Sequence, residues 1–146
     1  MKRIIAAIDF SDATGPVVKK AAALAHAFQV ELVLIHVAAP DPDFVGYDTG
    51  PQSVRDQIAE HYHQEHRHLQ DLEHQARDRV ATCRSLLIQG STVEKLLDEI
   101  SRLDAGMVVM GSHGHGALHH LLMGSATKGV LRQSPIPVVV VPCRMR

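Results

Sequence analysis

The sequence predicts an α/β protein with three layers, in which helices cover both faces of a doubly wound, five-stranded parallel sheet. Short apolar runs of the kind found in fully buried strands recur five times along the chain. Amphipathic segments with helical spacing separate these runs, as they do in a series of βαβ units. Right-handed crossovers leave few topologies for such an alternation, and the pattern favours the doubly wound sheet.

The first half of the chain predicts two strands and two helices. Residues 4–8 form the first strand, and Pro16 suits the first turn of the helix that follows it. Residues 31–37 form the second strand, and a loop rich in Asp, Pro and Gly spans residues 40–51. A long helix then runs from residue 52 to about residue 79. The apolar stripes of the two helices are Val17, Ala21, Leu24, Ala25 and Phe28, and Val54, Ile58, Tyr62, Leu69, Leu72 and Ala76.

The second half of the chain continues the alternation. Ser91 and Glu94 match a capping box at the start of the third helix. The apolar residues of that helix again have helical spacing: Val93, Leu96, Leu97, Ile100 and Leu103. The remaining predicted elements are strands at residues 83–89, 107–110 and 136–141, and a fourth helix at residues 125–133.

Length, composition and charge narrow the class of protein. The 146 residues, 45% of them apolar and 21% charged, predict a single globular domain over residues 1–146. A net charge of −1, the lack of long Lys or Arg runs and an aromatic content of 3% disfavour nucleic acid as a partner. Asp9 and Asp12 break the first apolar run, and no stretch approaches the length of a membrane span, so neither export nor a membrane is expected. With only two cysteines, Cys83 and Cys143, the sequence predicts a cytoplasmic protein.

The segment between the fourth strand and the fourth helix, residues 111–124, holds the strongest functional signal and is called the glycine loop below. Its spaced glycines are Gly111, Gly114 and Gly124. Glycine lets backbone amides approach an anion, and the helix that begins at Ser125 presents free N–H groups and a positive dipole end. These features predict a site for nucleotide phosphates. If the first and fourth strands are neighbours, Asp9 faces the glycine loop across one crevice and can accept hydrogen bonds from ribose hydroxyls.

Each of these residues also has a purely structural interpretation. The glycine loop can be a tight turn that packs a helix against the sheet. Asp9 can cap the first helix, although Ser11 or Asp12 can also fill that role. Ser125 can be the N-cap of the fourth helix, which is compatible with a place beside bound phosphate. The position of the loop directly ahead of a helix favours nucleotide binding over these alternatives.

The spacing of the glycines follows a more specific pattern. It is Gly-x-x-Gly, nine further residues and then Gly-Ser, with Gly111, Gly114, Gly124 and Ser125 in this chain. Motifs along the strands accompany it: Ala-Ile-Asp-Phe-Ser at residues 7–11, Leu-Ile-His-Val at 34–37, Gln-Gly at 89–90 and Pro-Val-Val-Val-Val-Pro at 137–142. In these features, and over essentially its whole length, the chain resembles the universal stress proteins of the single-domain, ATP-binding type. The resemblance implies a Rossmann-like fold with strand order 3-2-1-4-5.

The resemblance implies an ATP site, with Mg²⁺ or Mn²⁺ on the phosphate oxygens. Asp9 would hold the ribose. Ala7 and Val37 would border the adenine, Val37 through its backbone. Met110 and Gly111 would line the sugar and the base. The residues implied around the phosphates are Gly114, Gly124, Ser125 and Ala126.

The resemblance also implies a homodimer that pairs through the last strand, Val138–Val141, whose apolar edge is a template for another chain. The expected function is that of a nucleotide-dependent sensor or regulator in the stress response. ATP would order residues 112–123 and so change a surface read by an unidentified protein partner. The alternatives are a nucleotide-free dimeric stress adaptor, and a slow ATPase or autophosphorylating protein. Catalysis is not favoured, because the sequence has no Gly-x-Ser-x-Gly elbow and no evident base paired with an orienting group.

Two departures from the family pattern affect the expected affinity. Ala7 stands where many nucleotide-binding members have proline, and a small residue there still leaves room for the base. His113 and His115 stand in a part of the loop where arginine is frequent. Histidine is mostly neutral near pH 7, so phosphate binding is expected to be weaker than with arginine and to strengthen as the pH falls from 8 to 6.

The other histidines and the buried cysteine are assigned structural roles. Five histidines on the long helix form no i, i+4 His pair, which favours a solvated helix face over a zinc site: His61, His63, His66, His68 and His74. His36, within the second strand, is predicted to be a core or crevice residue with its hydrogen bonds satisfied. Cys83 is predicted to be an inert small hydrophobe.

Overall fold

Strands and helices alternate along the chain as the sequence predicts. The computed structural model describes residues 1–40, 52–113 and 123–143. The elements in chain order are β1 (Arg3–Ile8), α1 (Thr14–Phe28), β2 (Glu31–Ala38), α2 (Gln52–Arg77), β3 (Cys83–Gln89), α3 (Thr92–Arg102), β4 (Met107–Gly111), α4 (Ser125–Gln133) and β5 (Val138–Val141). None of the helices in these described ranges is both long and apolar enough to cross a membrane.

The strands form one parallel sheet with the order β3-β2-β1-β4-β5. The predicted doubly wound sheet and its strand order are therefore confirmed. The chain runs outward from β1 to β2 and β3 in one direction and to β4 and β5 in the other. The direction reverses between β1 and β4, and ligands of such sheets bind in the crevice at the carboxyl ends of the two strands that flank the reversal.

Two apolar cores lie on opposite faces of the sheet, because successive side chains of a strand point to opposite sides. Ile4, Ala6 and Ile8 of β1 pack with buried residues of α1 and α2, on what we call the α2 face. Ile5 and Ala7 pack with buried residues of α3 and α4, on the α4 face. The same alternation carries into the carboxyl edge of the sheet, so the side chains of consecutive residues there serve different faces.

The predicted boundaries hold to within two residues, and two deviations have clear causes. The fifth strand begins at Val138 and not at Ile136, because the Ser134 hydroxyl occupies both backbone groups of Ile136. It donates to the Ile136 carbonyl at 2.8 Å and accepts from the Ile136 N–H at 3.2 Å. The long helix ends at Arg77, after which the N–H groups of residues 79 and 80 both donate to the Ala76 carbonyl in a turn.

Two local predictions were wrong in detail. Phe28 was expected in the apolar stripe of α1, but its side chain is 52% exposed. The helix ends there because Gln29 adopts a left-handed conformation, with φ 55°, and the chain turns back into β2. Ser91 occupies the N-cap position of α3 as predicted, but its side chain makes no capping hydrogen bond.

Candidate functional site

Asp9 lies at the carboxyl edge of the sheet, where the strand order reverses. In β1, Ala6 pairs with Val109 of β4, and Ile8 pairs with His36 of β2. The first and fourth strands are therefore neighbours, which is the condition under which the sequence predicts that Asp9 faces the glycine loop. When the same register is continued, Asp9 falls between β2 and β4, level with the first residue after β4. An acidic side chain thus stands beside the base of the glycine loop.

The carboxylate of Asp9 is only partly used by its own loop. Its Oδ1 accepts hydrogen bonds from the Ser11 backbone N–H at 3.0 Å and the Ser11 hydroxyl at 2.6 Å. The Ser11 oxygen in turn accepts from the N–H of Ala13, the N-cap residue of α1, at 3.2 Å. Asp9 is therefore not the helix cap. Among the described residues its Oδ2 has no hydrogen-bond partner, which leaves one oxygen for a ligand.

Ser112 joins three segments at the base of the glycine loop. Its N–H donates to the Val141 carbonyl of β5 at 2.9 Å, and its carbonyl accepts from the Gly124 N–H at 2.8 Å. Its hydroxyl oxygen accepts from the Cys143 N–H at 3.0 Å. Sequence reasoning missed this residue, and its only signal was the position directly after Gly111. The two ends of the glycine loop are therefore bonded to each other and to the end of β5.

Gly111 is needed for packing. A Cβ placed on Gly111 would lie 2.8 Å from the Cβ of Ala13 and 3.2 Å from the carbonyl oxygen of His113. Real side chains do not approach so closely, so the glycine allows β4 to end against the start of α1. The Thr127 hydroxyl donates to the Gly111 carbonyl at 2.8 Å and ties α4 to the same point. For this glycine, packing is a sufficient explanation.

His113, at the base of the glycine loop, carries a polar atom that has no hydrogen-bond partner among the described residues. The Ser112 hydroxyl oxygen already accepts one hydrogen bond, and it lies 2.8 Å from Nδ1 of His113. When the hydroxyl donates to Nδ1, a neutral His113 carries its own proton on Nε2. That Nε2 is buried and has no hydrogen-bond partner among the described residues. A buried N–H without an acceptor is costly, and an anionic oxygen would satisfy it.

The start of α4 supplies further donors. Gly124 is the N-cap, so Ser125 and Ala126 are the first two helical residues, and the alternative role of Ser125 as the N-cap is wrong. The N–H groups of a first helical turn have no acceptor within the helix and carry the positive end of its dipole. Gly114 and His115, both named from the sequence, lie outside the described residues.

The residues expected beside the base lie on the α4 face. Ala7 and Val37 are partly buried against the core of that face. Met110 belongs to the same core and is 4% exposed, so any contact that it made with a ligand would come from its backbone. The structure therefore brings these three residues to the side of the edge on which α4 begins.

A second arrangement of polar groups lies on the α2 face. A cavity of about 460 Å³ is lined by Asp9, Phe10, His36, Val37, Ala39, His61, Gln64, Glu65 and His68. We call it the histidine cavity. Nδ1 of His36 donates to the Ile8 carbonyl at 2.7 Å, and Nε2 of His36 lies 3.2 Å from Oε1 of Glu65. The same carboxylate oxygen lies 3.2 Å from Nε2 of His61. His36 is thus a buried histidine with both nitrogens bonded, as predicted.

The prediction that the five histidines of α2 form a solvated face needs one refinement. All five are exposed, as a solvated face requires, but His61 and His68 also reach the histidine cavity. Over the described ranges of the chain, no three or more His, Cys, Asp or Glu side chains are grouped so as to hold a metal ion.

Phe10 has an unusual backbone conformation. Its φ of 57° lies in the left-handed region, which is uncommon for a bulky residue. Its ring stacks on that of His68, with centroids 4.5 Å apart and planes at 15°. It also meets the ring of His36 at 4.4 Å and 46°. Sequence reasoning did not single out this residue, because nothing in the pattern distinguishes a left-handed phenylalanine.

Cys83 does not contribute a nucleophile to this edge. It is buried at the first residue of β3, at the opposite, amino end of the strands. Burial, with a further contribution from the charge of Glu73, raises the pKa of its thiol to about 12. The thiol is therefore protonated at neutral pH, in accord with the inert role predicted from the sequence.

Comparison with known proteins agrees with this geometry. The "universal stress protein in QAH/OAS sulfhydrylase 3′ region" of Thermus aquaticus is 29% identical over 140 residues, which cover 96% of this chain and 98% of that protein. The structure of the universal stress protein UspA from Lactobacillus plantarum has a TM-score of 0.79 at 19% identity, covering 96% of this chain and 97% of that one. The structure of the universal stress protein from Archaeoglobus fulgidus in complex with dAMP has a TM-score of 0.65 at 17% identity, covering 96% and 97%. The model of the universal stress protein family matches residues 1–142, and the chain therefore belongs to this family.

Proposed function

We propose that this protein binds ATP in the crevice between β1 and β4 and acts as a nucleotide-dependent sensor or regulator in the stress response. One observation carries the proposal: two polar atoms with no partner among the described residues follow the carboxyl ends of the neighbouring strands β1 and β4. They are the acceptor Oδ2 of Asp9 and the buried Nε2 of His113. A nucleotide offers both complements, ribose hydroxyls as donors and phosphate oxygens as acceptors. The Archaeoglobus fulgidus relative, solved in complex with dAMP, supports an adenine nucleotide as the class of ligand.

The rest of the crevice fits the same ligand. The base would lie against Ala7 and Val37, which are partly buried and small enough to leave space. The phosphates would meet the first amides of α4 at Ser125 and Ala126, together with the loop glycines. Mg²⁺ or Mn²⁺ would be held mainly by phosphate oxygens, and the exposed Ser125 hydroxyl is an oxygen ligand of the kind that these ions accept.

A sensor also needs a path from the nucleotide to a surface. Ser112 is bonded both to the N-cap residue of α4 and to the carbonyl of Val141, so a change in the glycine loop reaches β5 directly. Val138–Val141 are all half-buried, and their strand is at the edge of the sheet. We propose that this edge pairs with a second copy in a cytoplasmic homodimer. Binding would shift the assembly only as far as ATP prefers one state of the loop.

The experiment is calorimetry with ATP and Mg²⁺. Asp9→Ala removes one charged hydrogen bond to the ribose and is expected to weaken binding by about 10- to 100-fold. Asp12→Ala is the matched control, because Asp12 is an exposed carboxylate three residues further along the same loop. It is expected to bind like the wild type. Equal affinities for wild type and Asp9→Ala would contradict the proposal.

A second variant tests the phosphate side. Gly124 has φ −59° and ψ 151°, a conformation that valine adopts without strain. Gly124→Val should therefore fold normally and lose nucleotide binding because the side chain fills space near the phosphates. Unchanged binding in this variant would remove the glycine loop from the site.

A nucleotide-free dimeric adaptor is the second candidate function. The observation that favours it is Gly111, whose missing Cβ is explained by the close contact with Ala13 without any ligand. Native mass spectrometry of the purified protein separates the two functions. A co-purified nucleotide supports the sensor. Protein that is free of nucleotide and gives no calorimetric signal with ATP supports the adaptor.

A further inference from the structure

We propose that Phe10 is a positioning residue, whose ring is held between His36 and His68 and thereby fixes the direction of the Asp9 carboxylate. The inference rests on the proposed function, since Asp9 is the residue assigned to the ribose. It concerns how the fold presents that carboxylate.

The backbone of Phe10 has a conformation that its surroundings must hold. Phe10 has φ 57°, and a left-handed conformation in a residue with a large side chain persists only where its surroundings hold it. Asp9 precedes it and Ser11 follows it, and these two neighbours are bonded across it through Oδ1 of Asp9. If Phe10 relaxed to a negative φ, the direction of the chain would change between the two partners. The Asp9–Ser11 hydrogen bonds depend on this conformation.

The ring of Phe10 is held by two other side chains. It stacks on His68 of α2 at 4.5 Å and meets His36 of β2 at 4.4 Å. Two different elements therefore hold the Phe10 side chain. Such aromatic contacts are directional, so they oppose rotation of the residue as well as its displacement.

His36 contacts the chain on both sides of Asp9. Its Nδ1 donates to the Ile8 carbonyl at 2.7 Å, and its ring contacts Phe10. Its own position is fixed by Glu65 of α2 at 3.2 Å. The residues directly before and after Asp9 are thus both attached to one buried imidazole. A contact on the α2 face thereby determines where a carboxylate of the β1–β4 crevice lies.

The first measurement is ATP affinity in two Phe10 variants. Phe10→Gly permits the left-handed conformation but removes the ring, and should weaken ATP binding about tenfold. Phe10→Tyr keeps the ring and should bind within about twofold of the wild type. Phe28→Ala removes a half-exposed phenylalanine at the far end of α1 and should have no effect. If Phe10→Gly binds ATP like the wild type, the proposal is overturned.

A double-mutant cycle separates positioning from an independent contact. In the Asp9→Ala background, Phe10→Gly should cause no further loss, because the carboxylate that it positions is already gone. An equal loss in both backgrounds would mean that Phe10 acts by itself. If Asp9→Ala alone binds ATP normally, the proposed nucleotide site fails, and the positioning role is then decided by the following measurement.

That measurement is hydrogen exchange at the Ser11 amide, which needs no nucleotide. The amide donates to Asp9, so its protection reports the position of the carboxylate. Protection should fall at least several-fold in Phe10→Gly and be restored in Phe10→Tyr. Ser11 protection that is equal in the wild type and Phe10→Gly would show that the ring does not position Asp9.

Discussion

Two parts of the carboxyl edge, the α2 face and the base of the glycine loop, use the same kinds of side chain in different ways. On the α2 face, His36 has both ring nitrogens bonded, to the Ile8 carbonyl and to Glu65. At the base of the glycine loop, His113 has only Nδ1 bonded, and its buried Nε2 has no partner among the described residues. Buried polar groups are normally satisfied, so an exception calls for an explanation. Under the proposed function, the first arrangement supports the edge and the second binds the ligand.

Asp9 belongs to both arrangements. It lines the histidine cavity, yet its Oδ1 is used by Ser11 and its Oδ2 has no partner in the described part of the chain. The carboxylate is therefore held through Oδ1, and Oδ2 is the oxygen that remains for the proposed ligand. The comparison between the α2 face and the glycine loop can be tested with two kinds of variant. One kind changes the packing or the hydrogen bonds of the edge, and the other removes a group that has no partner.

The largest effect is expected from Gly111→Ala, which changes packing. The new Cβ would lie 2.8 Å from that of Ala13, so β4 and α1 must separate. Overpacking of this kind lowers the free energy of unfolding by about 1–3 kcal/mol. Urea denaturation without nucleotide measures this change in the free energy of unfolding.

The matched variant is Ala13→Gly, which removes the Cβ that the new Cβ of Gly111→Ala would contact. Ala13 is the N-cap of α1, where glycine is well tolerated, so this change alone should cost little. The double variant should regain much of the lost stability. If Gly111→Ala is as stable as the wild type, the glycine is not explained by packing and a ligand role gains weight.

A smaller effect is expected from Ser112→Ala, which removes the hydroxyl at the base of the glycine loop. The Cys143 N–H and Nδ1 of His113 would both lose their partner. The free energy of unfolding should fall by about 1–2 kcal/mol. Ser101→Ala, at an exposed position of α3, is the control and should not destabilise the protein. A Ser112→Ala protein of wild-type stability would show that the hydroxyl does not stabilise the base of the glycine loop.

The sequence could predict the fold because that information lies in local patterns. Buried apolar runs place the strands, and the bounds of β3 and α4 agree with the prediction residue for residue. It could also place Asp9 beside the glycine loop, because parallel strands end at the same edge. Ser112 and Phe10 could not be found in this way. The role of Ser112 depends on the end of β5, about thirty residues further along the chain, and that of Phe10 on helix α2. Such contacts follow from tertiary packing and leave no periodic signal.

The smallest expected effect is a pH dependence that separates the glycine loop from the α2 face. Histidine changes its charge between pH 5 and 8, and a phosphate favours the charged form. The affinity for ATP with Mg²⁺ should therefore rise as the pH falls from 8 to 6. One charged hydrogen bond in place of a neutral one makes the expected change about fivefold.

His113→Gln should flatten this profile, because it removes the imidazole that contacts Ser112 at the base of the glycine loop. His61→Gln should leave the profile unchanged, because His61 is an exposed residue of α2 that contacts Glu65 and not the glycine loop. Calorimetry at three pH values measures all of these profiles. A flat profile for the wild-type protein would contradict a phosphate contact by the loop histidines. A slope that disappears in His61→Gln but persists in His113→Gln would place the pH-sensitive group on the α2 face and not in the glycine loop.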